Sequence, residues 1–376
     1  MNILFLSTHL NAGGITSYLL TMSKGLMRRG HGVHVATSGG NMENEFLAAG
    51  ARLLTLDIRT KSELSPKIYL ALFPLKKYVR EQNIDLIHSQ TRITQVMGAM
   101  LGKATGRAYV STCHGFFKAQ RLSRKLFPCW GRAVIAISGP VKDHLINDFR
   151  VSPENINLTE SGIDVESFVP VGEQGITEAR QRFDLGEGPV LGMIARLSDV
   201  KGQDILIEAM SKIVASVPDV KLLLVGEGRM EPLLRERVEQ LHLEDHVRFL
   251  AIVHKTQEML PLFDVFVVPS RQEGLGLSIM EAQAMGVPVV ASRVGGIPSL
   301  IEHGKTGILV DPKNSVQLAD AIIELLKNRE RGKAMGLAGR EFIRKTHSAE
   351  KMIDEAVQFY EISIAKNSEK HSCCQR

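Results

Sequence analysis

Two cations stand five residues apart in one short loop in the second half of the chain. Arg196 and Lys201 lie within residues 195–202, directly after the apolar run 190–195. Arginine offers a planar fork of donors and lysine a point charge, a combination that suits a diphosphate. Each charge-assisted hydrogen bond of this kind would contribute about 1.5–3 kcal/mol. The alternative is a solvated loop whose cations contact only water.

Two carboxylates eight residues apart follow another apolar run in the same half. Glu273 lies in a glycine-bearing loop after the run 265–268, and Glu281 lies inside the helical pattern that comes next. Carboxylates accept hydrogen bonds well from vicinal hydroxyl pairs, and the amides around Gly274 and Gly276 can bind hydroxyls or phosphate. The alternative is a charge that complements the helix dipole, but Glu281 lies too far into its helix for that role.

A third candidate is the pair Gly13-Gly14, which follows the first apolar run and opens a helical pattern. Glycines let the backbone approach a ligand closely, and the free N–H groups of a helix N-terminus bind anions. The alternative is a tight turn between a strand and a helix. The pair alone therefore does not distinguish a phosphate site from a turn.

Alternating strands and helices must position these loops. Short apolar runs rich in branched residues alternate with helical patterns, which predicts βαβ units in parallel sheets covered on both faces. Residues 170–189, rich in Gly, Glu and Gln, interrupt this order. We therefore predict an α/β protein with two doubly wound, Rossmann-like domains, 1–169 and 170–344, facing each other across a cleft, and a polar tail at 367–376. Ligands of such sheets bind beyond the carboxyl ends of the strands.

Composition limits the classes of protein that fit this chain. Its 376 residues are 44% hydrophobic and 23% charged, which excludes a disordered or fibrous protein. Four cysteines without a CxxC pair argue against a disulfide framework or a zinc ribbon and favour a reducing compartment. The chain shows neither the basic start of a signal peptide nor an apolar stretch near the ~18 residues of a membrane span. We expect a cytoplasmic protein, soluble or peripheral on the inner face of the membrane.

The charge of the chain is unevenly placed. Residues 1–160 carry 20 Lys and Arg against 10 Asp and Glu, which indicates an anionic surface or substrate. Residues 115–130 add bulky apolar side chains, four cations and the only tryptophan, a composition that suits a membrane interface or a loop that binds the acceptor. The alternative is a segment packed on its own domain. The candidates are Phe116, Phe117, Lys118, Arg121, Arg124, Lys125 and Trp130, with Lys61, Lys67, Lys76, Lys77 and Arg80 as further cations of that face.

Taken in order, four motifs resemble those of retaining nucleotide-sugar glycosyltransferases of the large family 4. They are the Gly13-Gly14 loop, His114 and the glycine after it, Arg196 with Lys201, and the Glu-x7-Glu spacing of Glu273 and Glu281. The resemblance covers nearly the whole chain and is best from about 188 to 310. It implies the GT-B fold, in which two Rossmann-like domains face each other and a last helix, here at about 345–366, packs back on the first domain.

The resemblance also implies a role for each candidate. Arg196 and Lys201 would hold the donor diphosphate and stabilise the leaving group, and Glu281 would accept hydrogen bonds from the ribose. Glu273 would hold the donor sugar, and His114 would lie near the sugar and the acceptor. The candidates for catalysis are thus His114, Arg196, Lys201 and Glu273, and those for donor binding are Gly13, Gly14, Gly226, Glu227, Gly274, Leu275, Gly276, Leu277 and Glu281.

The predicted function is a retaining, metal-independent transfer of sugar from a nucleotide-diphospho-sugar to a hydroxyl of a glycan or lipid-linked acceptor. The process would be synthesis of cell-surface polysaccharide or lipopolysaccharide. No Asp-x-Asp triplet and no His-Glu-x-x-His motif occurs, so we expect no metal, no cofactor and no nucleic-acid partner. The alternatives are a nucleotide-sugar 2-epimerase, which needs no acceptor, and a non-catalytic module that binds nucleotide sugars. A dehydrogenase fits least, because Glu231 stands where a dinucleotide fingerprint needs glycine.

Overall fold

The computed structural model describes residues 1–60, 62–117, 129–131, 133–169, 172–251, 253 and 255–373. The chain forms two compact units, Met1–Gly162 with Ala349–Arg376, and Ile163–Ser348. The units divide after Gly162 and after Ser348, whereas the sequence places the boundaries after residues 169 and 344. Ile163 donates its amide N–H to the carbonyl of His347 at 2.9 Å, so the two ends of the second unit are paired with each other.

A parallel sheet forms the centre of the first unit. Its strands are β1 Asn2–Leu6, β2 Gly32–Thr37, β3 Arg52–Thr55, β4 Leu86–Ser89, β5 Ala108–Cys113, β6 Val134–Ala136 and β7 Ile156–Leu158, in the spatial order β3-β2-β1-β4-β5-β6-β7. In β1, all four residues from 3 to 6 are fully buried, because helices cover both faces of the sheet. The strand order reverses between β1 and β4, and ligands of such sheets bind beyond that point.

The helices of the first unit bury one apolar face each. They are α1 Gly14–Arg28, α2 Glu43–Ala48, α3 Pro66–Glu81, α4 Arg92–Thr105 and α5 Gly139–Phe149, with a 3₁₀ turn at Pro153–Asn155. Ile68, Leu75 and Val79 recur at helical spacing and pack into the core between α3, α4 and the sheet. A capping box of Thr91 and Thr94 begins α4.

The second unit repeats this architecture with six strands. They are β8 Val190–Ile194, β9 Lys221–Val225, β10 Val247–Leu250, β11 Val265–Val268, β12 Val289–Ser292 and β13 Ile308–Val310, all parallel, in the order β10-β9-β8-β11-β12-β13. The order reverses between β8 and β11. The predicted α/β class with two doubly wound parallel sheets is therefore confirmed.

The helices of the second unit cover both faces of that sheet. They are α6 Glu173–Arg182, α7 Gln203–Ser216, α8 Glu231–Gln240, α9 Leu277–Ala284, α10 Ile297–Leu300, α11 Ser315–Lys327 and α12 Arg329–Thr346, with 3₁₀ turns at Val165–Ser167, Thr256–Glu258 and Leu260–Leu262. The main core lies between the sheet and the packed pair α7 and α11. Asn314 caps α11 by accepting the amide N–H of Gln317 at 2.9 Å.

The last helix, α13 (Ala349–Cys373), belongs to the first unit, where it packs on α1 and β5. A Cβ added to Gly25 of α1 would lie 1.9 Å from the side chain of Ile353, so glycine is what permits this close approach. Tyr360 is fully buried, and its hydroxyl is 2.8 Å from Nδ1 of His88. The helix runs through residues 367–373, which the sequence assigns to a polar tail. No helix within the described ranges is long and apolar enough to span a lipid bilayer.

Candidate functional site

Two loops meet at the carboxyl edge of the second sheet, where the strand order reverses. One follows β8 and contains Arg196 and Lys201, and the other follows the neighbouring strand β11 and contains Glu273. Gly202 shows how close they lie, because an added Cβ would stand 2.1 Å from the carbonyl oxygen of Pro269. Its φ of +74° also favours glycine. This edge is where ligands of doubly wound sheets bind.

Lys201 and Glu273 form an ion pair across the two loops. The Nζ of Lys201 lies 2.6 Å from Oε2 of Glu273, and the carboxylate side chain is only 14% exposed. The hydroxyl of Ser270 donates to the same oxygen at 3.3 Å. A cation and a carboxylate that are 72 residues apart in sequence are thus brought together.

Arg196 lies on the same loop as Lys201, with its side chain exposed. Its carbonyl accepts a hydrogen bond of 3.0 Å from Nε2 of Gln203, a buried residue in the first turn of α7. The backbone at Arg196 is therefore held while its guanidinium faces outward. This is a suitable arrangement for binding an anion from solution.

Glu281 has different neighbours from Glu273. It lies in α9, and its carboxylate hydrogen-bonds with the side chain of Thr256 in the 3₁₀ turn after β10. Burial raises the pKa of Glu281 to about 7, and the hydrogen bond with Thr256 only partly opposes this rise. Within the residues that the structure describes, no group of three or more His, Cys, Asp or Glu side chains could hold a metal ion.

The glycine loop between these carboxylates is packed against another turn. A Cβ added to Gly296 would lie 2.4 Å from the carbonyl oxygen of Gly274, and the amide of Gly296 donates to the carbonyl of Glu273 at 3.2 Å. Gly276 caps α9 with a φ of +115°. Leu275 has a buried side chain and Leu277 a partly buried one, so these two candidates can offer a ligand their backbone rather than their side chains.

Gly226 and Glu227 belong to a loop that packs on the Arg196 loop. A Cβ at Gly226 would lie 2.2 Å from the carbonyl oxygen of Ala195, and the amide of Leu197 donates to the carbonyl of Glu227 at 2.9 Å. The side chain of Glu227 is exposed. Gly226 therefore has a packing role that needs no ligand.

Arg271 and Asp204 form a clamp on the Lys201 loop that the sequence analysis missed. Arg271 donates to both carboxylate oxygens of Asp204 at 2.8 and 2.6 Å and to the carbonyl of Asp199 at 2.9 Å. Its own amide donates to the carbonyl of Val200 at 2.8 Å. Burial alone would raise the pKa of Asp204, but the hydrogen bonds and charge of Arg271 outweigh it and lower that pKa. An acidic residue in a first helical turn was the only available signal.

The first unit carries the remaining candidates at its own strand-order reversal. Gly13 and Gly14 are exposed after β1, and Gly14 begins α1. A Cβ added to Gly13 would meet no atom within 4 Å, so open space lies before the amides of this helix start. This geometry leaves room for an anion at the N-terminus of α1.

His114 follows β5 in the same unit and is held by two side chains that the sequence analysis missed. Its Nε2 lies 2.8 Å from Oε1 of Gln90, and its ring and that of Tyr18 pack edge-to-face at a centroid distance of 4.8 Å. Burial lowers the pKa of His114 to about 3, so the ring is neutral at physiological pH. With the amide oxygen of Gln90 as the acceptor, Nε2 of the neutral ring carries the hydrogen and Nδ1 is its acceptor nitrogen.

The proposed membrane segment packs on the first unit wherever it is described. Trp130 is only 4% exposed and lies with its ring 5.2 Å from that of Phe149, so its predicted contact with a membrane is wrong. Phe117 donates its amide N–H to His144 at 2.9 Å, and the ring of Phe116 lies 5.3 Å from the ring of His144. The predicted contacts at Lys118, Arg121, Arg124 and Lys125 lie outside the described residues.

Comparison with known proteins identifies the family of this chain. Residues 176–342 match the family described as "Glycosyl transferases group 1", and residues 12–167 match "Glycosyltransferase Family 4". The chain is 29% identical over 351 residues to N-acetyl-alpha-D-glucosaminyl L-malate synthase of Bacillus anthracis, with 90% of this chain and 91% of that protein covered.

Two further proteins are similar to this chain, one over about half of its length and the other over nearly all of it. GDP-mannose-dependent alpha-(1-6)-phosphatidylinositol monomannoside mannosyltransferase of Mycobacterium tuberculosis is 39% identical over 193 residues. That match covers 48% of this chain and 49% of the relative, so it spans about half the length of that protein. The structure of Anabaena Alr3699/HepE in complex with UDP and glucose has a TM-score of 0.84 at 23% identity and covers 95% and 98% of the two chains. The chain therefore belongs to glycosyltransferase family 4 and has the GT-B fold.

Proposed function

We propose that this protein transfers a sugar from a nucleotide-diphospho-sugar to a hydroxyl of a glycan or lipid-linked acceptor in the synthesis of cell-surface polysaccharide or lipopolysaccharide. The transfer retains the anomeric configuration and needs no metal ion. The observation that carries this proposal is the ion pair of Lys201 and Glu273, 2.6 Å apart where the strand order of the second sheet reverses. In this proposal Lys201 is the cation that binds the diphosphate, and Glu273 is the carboxylate that accepts hydrogen bonds from sugar hydroxyls.

The cations of the Lys201 loop address the charge of the leaving group. Breaking the anomeric C–O bond develops negative charge on the diphosphate and positive charge on the sugar. Lys201 and Arg196 stabilise the first, and because the loop is held in place before the donor binds, little reorganisation accompanies the reaction. These two positive charges stabilise the diphosphate as a metal ion does in other transferases.

Retention of configuration rests on the resemblance to family 4 and needs no separate nucleophile. Glu273 is paired with Lys201, and Glu281 is a partly buried residue beside Thr256, so the two do not act as the acid and base of a glycosidase. His114, with a pKa of about 3, does not supply a proton at neutral pH, and its Nδ1 accepts a hydrogen bond from a sugar or acceptor hydroxyl.

The charge of the first half favours an anionic acceptor. Residues 1–160 carry an excess of ten positive charges, since 20 Lys and Arg stand against 10 Asp and Glu. The mycobacterial relative is named for a phosphatidylinositol monomannoside and the Bacillus relative for L-malate. Both names are compatible with an acceptor that carries negative charge.

Release of nucleoside diphosphate tests the proposed function. The full chain is incubated with UDP-glucose, UDP-N-acetylglucosamine and GDP-mannose in the presence of a chelator, without acceptor. We expect slow release from one donor, and release by Lys201→Ala that is slower by about 10²–10³-fold. An epimerised donor without release would instead identify an epimerase, and thermal stabilisation by a donor that is never cleaved, even with acceptors added, would identify a binding module.

Arg271 is expected to position the Lys201 loop rather than to contact the donor. Arg271→Ala should lower kcat/KM by about 10-fold to 100-fold, because small displacements of catalytic groups have effects of this size. It should also lower the free energy of unfolding by about 1–2 kcal/mol, since the lost hydrogen bonds are partly exposed. Steady-state kinetics and denaturant unfolding measure the two effects.

Arg229→Ala is the matched control for Arg271. Arg229 pairs with Asp199 on the same loop at 3.0 Å, but both side chains are largely exposed. This control should leave activity unchanged and alter stability by less than about 0.5 kcal/mol. Arg271→Lys keeps the charge without the planar fork and should recover only part of the activity. Unchanged kcat/KM in Arg271→Ala would mean that the clamp serves stability alone.

A further inference from the structure

Helix α3 is apolar on its outer side as well as on its inner side. Its inner face is buried in the core of the first unit, whereas Leu70 and Phe73 on the opposite side are 67% and 76% exposed. Of the eleven large apolar side chains that are exposed in the described part of the chain, four lie in one ten-residue stretch: Leu64, Tyr69, Leu70 and Phe73. A cluster of this kind marks an interaction surface rather than scattered surface residues.

Cations lie beside these apolar side chains. Positions 70, 73, 77 and 80 are separated by three or four residues, so they share one face of the helix. The cations of α3 are Lys67, Lys76, Lys77 and Arg80. Opposing charges are few, because Glu81 is the only acid of α3 and lies 3.7 Å from Lys77, while Asp57 lies 2.7 Å from Lys67. Both pairs are exposed, so their charges are screened by water and leave the face basic.

We propose that this α3 outer face, formed by Tyr69, Leu70, Phe73, Lys76, Lys77 and Arg80, docks on an anionic lipid bilayer together with Leu64, which lies just before the helix. Apolar side chains flanked by cations on one helical face are the composition of a helix that lies in the membrane interface. Leu70 and Phe73 insert among the acyl chains near the headgroups, and the cations contact the phosphates. This binding stands without the proposed sugar transfer, because it involves no residue of the donor site.

Charge distinguishes a bilayer from a second copy of the chain as the occupant. A two-fold symmetric dimer places the same patch of both subunits face to face. Lys76, Lys77 and Arg80 would then face the same basic patch of the other copy, and like charges at an interface oppose association. An anionic bilayer covers the same apolar side chains and attracts the cations.

Vesicle co-sedimentation of the full chain tests the proposal. Vesicles of phosphatidylglycerol and phosphatidylcholine are compared with vesicles of phosphatidylcholine alone, at low and at high salt. We expect binding to the anionic vesicles that weakens as salt rises, and at least tenfold weaker binding to the neutral vesicles. Equal binding to both kinds of vesicle, or no binding to either, overturns the proposal.

Two sets of substitutions separate the contributions of the face. Leu70→Ser with Phe73→Ser removes the inserted side chains, and Lys76→Gln with Lys77→Gln and Arg80→Gln removes the charges. Each set should lower the vesicle partition coefficient at least tenfold with an unchanged melting temperature. The matched controls lie on exposed sites of the second unit and should bind as the unaltered protein does: Val316→Ser with Leu337→Ser, and Lys305→Gln with Lys327→Gln and Lys333→Gln.

Two further readouts keep this proposal separate from its rivals. Light scattering reports the oligomeric state, and a dimer that becomes a monomer in Leu70→Ser with Phe73→Ser would assign the face to a second copy and overturn the proposal. Release of nucleoside diphosphate from a soluble donor should be the same in these variants as in the unaltered chain. A protein that binds anionic vesicles through this face but cleaves no donor would contradict the proposed function alone.

Discussion

Replacing Lys201 with alanine is expected to lower kcat for sugar transfer by about 10²–10³-fold, the usual effect of removing one preorganised group that stabilises transition-state charge. Lys201 lies with its Nζ 2.6 Å from Glu273, on a loop held by Arg271 and Gly202. The diphosphate of a bound donor would add a second anion to this cation. Because charge on the diphosphate grows as the sugar departs, the loss should appear mainly in kcat and less in KM.

The ion pair with Glu273 makes a companion experiment necessary. Lys201→Ala leaves a carboxylate that is only 14% exposed without its cation, so the protein should also lose stability. Glu273→Gln combined with Lys201→Ala removes that unpaired charge. We expect the double variant to regain the melting temperature and not the activity, which would separate the chemical role of Lys201 from its structural role.

Arg196→Ala and Lys212→Ala complete this set of variants. Arg196 shares the loop with Lys201, and its loss should lower kcat by a similar factor. Lys212 is an exposed cation of α7 that pairs with Asp320 at 2.5 Å, and its substitution should have no effect on transfer. Full activity in both Lys201→Ala and Arg196→Ala would refute the assignment of the diphosphate site.

The strands of this protein could be predicted from sequence wherever they are buried on both faces. Residues 221–225, 247–250 and 265–268 are apolar apart from Lys221 and Arg248, and the structure has strands with these bounds. β7 has no such apolar run, because it is a three-residue strand at the edge of its sheet, with polar Asn157 at its centre and Leu158 exposed. A short edge strand, which pairs with one neighbouring strand only, has no sequence pattern that distinguishes it from a loop.

The loops that form the site could be predicted from the sequence, but the contacts between their side chains could not. The sequence places Lys201 and Glu273 each after a strand, yet their contact depends on β8 and β11 being neighbours, which is a property of topology. Arg271 and Gln90 were missed for the same reason, since their partners come from another loop. The membrane prediction at Trp130 failed for a different reason. The composition of residues 115–130 indicates an amphipathic segment, but it does not tell which of its side chains are buried.

Glu281→Gln is expected to make the ligand-free protein more stable at pH 8–9. Burial raises the pKa of Glu281 from its ordinary 4.5 to about 7, so between these values the folded protein binds a proton that the unfolded chain releases. Stability therefore falls as pH rises from about 4.5 to about 7, by at most about 3.4 kcal/mol, since one pKa unit corresponds to 1.36 kcal/mol. Glutamine carries no charge and avoids this penalty.

The control for this measurement is Glu258→Gln. Glu258 lies in the same 3₁₀ turn as Thr256, but its side chain is exposed. Its substitution should change the free energy of unfolding by less than about 0.5 kcal/mol at every pH. Urea unfolding of the three proteins between pH 4.5 and 9 should show a gain for Glu281→Gln that grows with pH and is absent at the acidic end.

The same substitution should weaken donor binding, because a carboxylate accepts hydrogen bonds from a hydroxyl pair more strongly than an amide does. The loss of one charge-assisted hydrogen bond, about 1.5–3 kcal/mol, predicts a rise in donor KM of about 10-fold to 100-fold. In the unaltered protein, donor affinity should rise with pH through about 7 as Glu281 ionises, and Glu281→Gln should abolish this dependence. A variant that gains stability at high pH yet keeps the original KM would show that Glu281 is buried for a reason other than the donor. If the variant shows neither higher stability at high pH nor a higher donor KM, the carboxylate of Glu281 is not desolvated as the structure indicates. The pH series therefore tests the environment of Glu281 and its role in donor binding separately.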